Sequence, residues 1–410
     1  MTEFSCRSCS APLSEVLVDL GSSPLANSYL EPHQMQKGEV YYPLAVYLCH
    51  QCWLAQLPEF ESAEGIFSEY TYFSSYSDSW LDHARRYVEA MSERFGLGER
   101  SQVIEIASND GYLLQYFKQR GVPCLGIEPA GNVAKVAIER GIPSRVEFFG
   151  TESAQRLADE GLKADLLLGN NVLAHVPNLN DFVAGLAIAL APTGVLTMEF
   201  PHLLRLVDEN QFDTIYHEHF SYFSLVAVER VFARHGLVIF DVEELDTHGG
   251  SLRIFVRHQA DESKPVGPRV VELRERELAR GMETAAFYRD FAERVAETKR
   301  KLLAFLIQEK RAGKKIVGYG APAKGNTLLN YCGVRTDFVD YTVDRSPHKQ
   351  GRFLPGTRIP IESPDRIRET TPDYVLILPW NLRREIMGQM ADIAEWGGRF
   401  VVAIPEVTVL

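Results

Sequence analysis

The chain reads as an α/β protein in three parts: a small metal-pinned module at the N-terminus, a central domain of alternating strands and helices, and a second, smaller α/β domain at the C-terminus. Three observations predict this. Four of the six cysteines fall in two CxxC pairs, Cys6/Cys9 and Cys49/Cys52, close to the start of the chain. Between Gln102 and Phe200, strand-like and helix-like segments alternate at the length of parallel βαβ units, whose sheets are covered on both faces. The same alternation resumes at Lys315 after a charged helical stretch. With 410 residues the chain is also too long for one ordinary core, and the boundaries this suggests are 1–70, 71–262 and 263–410.

Residues 1–70 read as irregular, rich in Pro, Ser and Tyr. CRSC and CHQC each set two thiolates on a tight loop, and four thiolates complete a tetrahedral zinc site with no open position. Such a site is structural, because a closed shell cannot activate water. The pairs lie further apart than the ~15–20 residues of a compact ribbon, which an intervening hairpin accommodates. No thioredoxin-like βαβ context surrounds either pair, so a redox role is disfavoured. A helix follows near Trp80–Phe95, then strands at Gln102–Ala107, Pro123–Glu128, Ser144–Phe149, Ala164–Asn170 and Val195–Phe200 with helices between them. Pro201–Phe223 reads as a long aromatic loop, and the helix Leu225–His235 and strands Leu237–Glu244 and Ser251–Arg257 close the unit. The segment from about 265 to 312 reads as a solvated helical connector. Beyond it come a strand at Lys315–Tyr319, a helix at Lys324–Tyr331, strands near Phe338–Asp344 and Tyr374–Leu378, and a helix at Leu382–Trp396.

Composition removes several functions. A net charge of −12 argues against the phosphate-backbone affinity that zinc modules often signal. No apolar run reaches the ~18 residues needed to cross a bilayer, and MTEFSCRSC lacks the basic start and apolar stretch of a secretion signal, so a cytoplasmic enzyme is expected.

The segment VIEIASNDG runs a strand into a turn, with Glu105 near the strand end and Gly111 opening the next helix. It is not GxGxxG: Ala107, Ser108 and Asn109 stand where glycines would let a pyrophosphate approach. S-adenosylmethionine has no phosphates and asks for less: backbone beside its amino-acid part and a carboxylate for its ribose hydroxyls. Glu128 ends the second strand, where a ribose-binding acid belongs, and Asn170 and Asn171 end the fourth at the ligand-binding edge of such sheets.

YHEHFSYFS sets Tyr216, His217, Glu218 and His219 in sequence after the fifth strand. If the segment is extended, His217 and His219 cannot both face inward. A histidine can take a proton near neutral pH, and a tyrosine or second histidine can steady an oxyanion. HEH lacks the HExxH helical spacing of a hydrolytic zinc site. His175, in NNVLAHV, lies on a neighbouring strand-end loop.

Taken together, these segments resemble the sugar C-methyltransferases that act on nucleotide-linked 4-keto-6-deoxysugars. The resemblance covers nearly the whole chain: the paired cysteines, ExxxNDG, NNVLAHV, YHEHFSYF, HGGSLR at His248–Arg253, YGAPAKGNTLLNY and VDRSPHKQGRFLPG. It implies a class I Rossmann-like methyltransferase domain in the centre, with S-adenosylmethionine bound there and the sugar nucleotide in the cleft against the C-terminal domain. It also implies C-methylation beside the ketone, at C-3 in most members. Removing the weakly acidic proton there needs a base, assigned to His219, and a donor for the enolate oxygen. The resemblance carries Tyr216 and His175 over as enolate partners or proton relays, Glu218 as an orienting group and Tyr70 as a further catalytic tyrosine, with Tyr72 and Tyr76 competing for that role. For the nucleotide, the turn Gly318–Gly325 can offer backbone N–H groups to a phosphate. Lys324, Asn326, Lys349 and Arg352 are candidate substrate contacts. A nicotinamide-dependent oxidoreductase and a non-enzymatic sugar-nucleotide binder are the competing readings. The degenerate glycine turn speaks against the first and the Tyr–His–Glu–His cluster against the second.

Overall fold

The computed structural model describes residues 4–67 and 73–410. The central domain is a seven-stranded sheet: β1 (Val103–Ile106), β2 (Cys124–Ile127), β3 (Ser144–Arg145), β4 (Ala164–Asn170), β5 (Leu190–Pro201), β6 (Leu237–Leu245) and β7 (Ser251–His258). Its order is 6-7-5-4-1-2-3, with β1 to β5 parallel and β7 antiparallel to both neighbours. Strands such as VIEI are buried at every residue because helices cover both faces. The strand order reverses between β1 and β4, so the carboxyl ends of β1, β2 and β4 open a crevice there.

The N-terminal module is more regular than its composition suggests. Glu15–Ser23 pairs antiparallel with Tyr42–Leu48, which pairs with Ala55–Gln56. The fourth strand of that sheet, Ser221–Tyr222, comes from the central domain. The module's hydrophobic alternation is broken by register shifts near Val16 and Asp19, which hid the strands from a reading by period.

Two further expectations change. Pro201–Phe223 is not one loop: it holds a helix at Leu203–Asp208, a 3-10 turn at Phe212–Thr214 and the strand just named. Leu203, Leu204, Leu206 and Val207 pack into the core, and their clustering outweighs the flanking aromatics. Nor is the stretch after residue 265 a solvated connector. In the helix Phe291–Arg311, Phe291, Val295, Thr298, Leu302 and Leu306 are buried at steps of three and four residues, a core-facing stripe inside a charged composition. That stripe shares one core with the N-terminal strands and the C-terminal sheet.

The C-terminal domain has six strands in the order Ile361–Glu362, Thr342–Val343, Ile316–Tyr319, Tyr374–Ile377, Arg399–Val402 and Thr408–Val409, antiparallel only at the last pair. The expected helix at Leu382–Trp396 is shorter, Arg383–Gln389, followed by a 3-10 segment. After Ile316–Tyr319 the chain turns at Gly320 (φ 90°), where a Cβ would lie 2.5 Å from Pro379, and enters the helix Ala323–Cys332. That helix is tied to the central domain by Thr327 Oγ1 donating to the Ile215 carbonyl (2.9 Å), and to the N-terminal module by Asn326 Nδ2 donating to the Ala26 carbonyl (2.6 Å). Among the described residues no helix is long and apolar enough to cross a membrane.

Candidate active site

The crevice deepens into a cavity of about 760 Å³ walled by all three parts of the chain. At its sheet edge the turn after β1 uses three left-handed residues, Ala107 (φ 56°), Asn109 (φ 51°) and Gly111 (φ 76°). Asparagine tolerates that conformation and alanine pays for it. At Gly111 a Cβ would in addition press to 3.0 Å from Ile142. Glu128, at the end of β2, accepts the Asn109 N–H (2.8 Å) and the Ala130 N–H (2.9 Å), and its carboxylate is fixed on the cavity wall. Burial pushes its pKa up, against those two hydrogen bonds. Asn170 lines the same wall, and neither its amide oxygen nor its amide nitrogen has a hydrogen-bond partner. A fixed carboxylate and an orphaned carboxamide beside apolar Ile127 and Phe149 fit S-adenosylmethionine. Asn171 (φ 55°) turns its Nδ2 to His248 Nε2 at 3.0 Å. Glu105 does not reach the cavity. It lies fully buried behind the turn, its pKa driven well up by burial and then by the Glu128 charge. Its carboxylate hydrogen-bonds Tyr112, which does line the cavity.

At the other end, the His219 backbone N–H donates to the Tyr216 carbonyl, so residues 216–219 form a turn and not a strand. The two histidines diverge. His217 Nε2 lies 3.1 Å from the Pro43 carbonyl in the N-terminal module, while His219 faces the cavity. His219 Nδ1 is 2.8 Å from the Thr214 carbonyl, which accepts its proton and leaves Nε2 as the acceptor nitrogen. The Tyr216 ring lies against the imidazole at 4.0 Å and His175 meets it edge-on at 4.7 Å. Burial holds His219 neutral, its pKa well below the ordinary value, and the neighbouring His175 imidazole disfavours a second charge there. His175 itself is lowered to about 4 by burial, against a bond to the Glu218 backbone.

Glu218 does not line the cavity. Its Oε1 accepts from Asn27 Nδ2 (2.6 Å), and burial raises its pKa to about 7. It orients Asn27, which does face the cavity and also lies 3.2 Å from the Tyr29 hydroxyl. Lys324 and Lys349 both line the wall. Asn326 and Arg352 are elsewhere: the first holds the Ala26 carbonyl, and the second pairs with Glu31 (2.8 Å), so both join the C-terminal domain to the N-terminal module. Tyr70 falls outside the described residues.

Sequence reasoning missed Asn27, Trp80 and His248. His248 sits at φ 55° with Trp80 edge-on at 5.1 Å, and its pKa is lowered to about 4 by burial and the Lys324 charge. Its signal was present in HGGSLR, where two glycines follow a histidine. Asn27 had no local signal at all.

In the N-terminal module the four cysteine sulfurs lie within 4.8 Å of one another, with Cys6–Cys52 and Cys9–Cys49 at 3.5 Å. Each loop closes through a left-handed residue, Ser10 (φ 60°) and Trp53 (φ 61°), whose N–H donates to the carbonyl of Cys6 or Cys49. Four sulfurs at that separation fit a tetrahedral zinc ion with no vacant position.

Comparison with known proteins adds three family models that tile the chain: a zinc binding domain over residues 6–67, a methyltransferase domain over 80–242, and a C-methyltransferase C-terminal domain over 246–405. The C-methyltransferase NovU of Streptomyces niveus is 38% identical over 408 residues, 99% of this chain and 96% of that one. A ubiquinone biosynthesis O-methyltransferase of Bartonella quintana is 29% identical over 99 residues, 24% of this chain and 40% of that one. Among solved structures, the PH0226 protein of Pyrococcus horikoshii aligns with a TM-score of 0.38 at 15% identity, covering 48% of this chain and 99% of its own.

Proposed function

The chain belongs to the S-adenosylmethionine-dependent C-methyltransferases with an N-terminal zinc module, and from that premise we propose that it methylates the carbon beside the ketone of a nucleotide-linked 4-keto-6-deoxysugar, at C-3. The observation that carries the reading is His219: a neutral imidazole with its proton committed to the Thr214 carbonyl and its basic nitrogen left for the cavity that also holds the cofactor edge.

When bound, the sulfonium cofactor supplies an electrophilic methyl group. Glu128 would hold the ribose diol and Asn170 a polar group of the cofactor. His219 Nε2 takes the proton from the carbon next to the ketone, and the C–H electron pair moves into the enolate. Tyr216, flat against the base, and His175 offer hydrogen bonds on the same side. The enolate carbon so formed is the nucleophile to which the bound cofactor would supply its methyl group, the sulfur keeping that bond's electron pair as the ketone re-forms. Glu218 and Asn27 shape the sugar end, and Lys349 supplies positive charge for an anionic substrate.

The test is incubation with methyl-labelled S-adenosylmethionine and a panel of 4-keto-6-deoxy nucleotide sugars. Label should appear on carbon in at least one sugar. Label appearing on oxygen or nitrogen, or on none of the panel, would refute the reading.

A further inference from the structure

The cavity has three cationic side chains among the described residues, and they are not equivalent. Arg86 is exposed at the rim and pairs with Asp82 at 3.0 Å. Lys349 Nζ donates to the Ala321 carbonyl (2.9 Å), stands 3.7 Å from Asp344 and lies over the Tyr29 ring. Lys324 is held differently. Its Nζ donates to Asn381 Oδ1 (3.0 Å) and lies 5.0 Å from the centre of the Trp380 ring, whose Nε1 donates to Asp213 Oδ2 (2.7 Å). Asp213 directly precedes Thr214, the residue that fixes His219. The turn Phe212–Thr214 therefore sets both the base and, through Trp380, the ammonium on the facing wall. Asp213 is fully buried with Oδ1 unpartnered, so it gives the cation a counter-charge without reaching the cavity.

We propose that Lys324 is a catalytic residue: its ammonium receives the negative charge that develops on the ketone oxygen as His219 takes the neighbouring proton. The assignment rests on the reaction proposed above and replaces a phosphate-anchoring role for this lysine. The proton passes from carbon to His219 Nε2, the electron pair comes to rest on oxygen, and Lys324 keeps its own proton as a hydrogen-bond donor. A base as weak as a buried histidine needs such help. Tyr216, His175 and His248 can offer only neutral hydrogen bonds, the last two because burial keeps them uncharged. The field of Lys324 is felt at both His219 and His248. It lowers the basicity of His219 while raising the acidity of the carbon, so the two groups are matched to the same transition state. Asp213, raised to about 6 by burial against the Lys324 charge, opposes the downward push of burial on the lysine.

The experiment compares Lys324→Met and Lys324→Arg with the wild type, using the dTDP-linked 4-keto-6-deoxyglucose as probe, with calorimetric S-adenosylhomocysteine binding as the check that each variant is folded. Lys324→Met should lower kcat and solvent deuterium exchange at the substrate carbon together by about 10²–10³-fold, with KM within about threefold. Lys324→Arg should recover part of both. The acid limb of the residual rate should move to higher pH in Lys324→Met, because removing the cation raises the pKa of His219. A KM raised tenfold or more with kcat retained would make Lys324 a phosphate anchor and overturn the proposal. So would exchange at the wild-type rate. A wild-type enzyme inert toward every sugar of the panel is a different result: it removes the proposed reaction, and this assignment with it.

Discussion

The two ends of the cavity are built in opposite ways. The cofactor end belongs to one sheet: Ala107, Asn109, Glu128 and Asn170 sit at three strand ends, and backbone hydrogen bonds fix them. The reacting end is composite. Asn27 comes from the zinc module, His175 and His219 from the central domain, and Lys324 from the C-terminal domain. Their alignment depends on contacts between domains, such as Asn27 to Glu218, Thr327 to Ile215 and the strand Ser221–Tyr222 against Ala55–Gln56. The difference teaches that cofactor affinity and turnover respond to different parts of the molecule.

Removing the metal exposes this contrast most strongly. Cys49→Ser opens a closed thiolate shell, and structural zinc sites carry an apparent ~10–16 kcal/mol of binding that is coupled to folding. The zinc module carries Asn27 and pairs with the strand two residues beyond His219. Misplacing catalytic groups by about 1 Å can cost 10²-fold, so turnover should fall at least about that much. S-adenosylmethionine affinity should change little. Metal analysis, calorimetry and a methyl-transfer assay on the same preparation check this, and zinc loss without loss of turnover would break the comparison.

Glu128→Ala addresses the other end. It should weaken S-adenosylmethionine binding by about 1.5–3 kcal/mol, the range for a hydrogen bond to a charged group, with substrate KM nearly unchanged. Unaltered cofactor affinity in calorimetry would remove Glu128 from the site. A smaller effect is expected for Asn27→Ala. Substrate KM should rise by about five- to tenfold, in line with one lost hydrogen bond of about 1 kcal/mol and a Glu218 left without its partner. Cofactor affinity should stay as in the wild type, and a parallel loss of both would contradict the separation of the two ends.

The pH profile sharpens the reacting end. Only the neutral imidazole of His219 can accept a proton, and burial lowers its pKa below the ordinary 6.5. The rate should therefore hold as pH falls through 6.5 and decline only at more acid values. An acid limb at or above 6.5 would mean that a different, more exposed group is the base.

The same division explains what the sequence made legible. Strand-end residues follow from local pattern: a strand, a turn and a helix within a dozen residues carry Ala107, Asn109 and Gly111 to the crevice together. The cysteine pairs were equally readable, because the chemistry of four thiolates leaves few alternatives. Glu105 lies outside the cavity lining, and alternation along a strand does not tell which face meets a ligand when both are buried. Asn326 and Arg352 join the C-terminal domain to the N-terminal module, since a polar residue beside a glycine turn can serve an interdomain joint as well as a ligand. Asn27 is bound to Glu218 across 191 positions of sequence, and no local period encodes that contact.

The central claim is that His219 removes the proton beside the ketone. The most direct measurement is deuterium incorporation at that carbon, followed by NMR, in enzyme loaded with S-adenosylhomocysteine and a 4-keto-6-deoxy nucleotide sugar in deuterated water. With the methyl donor absent, the wild type should still exchange the position. His219→Asn keeps size and a hydrogen bond but cannot act as a base, so exchange and methyl transfer should fall together by about 10²–10⁴-fold. Exchange at the wild-type rate in His219→Asn, with methyl transfer lost, would contradict the account and move the proton to another group.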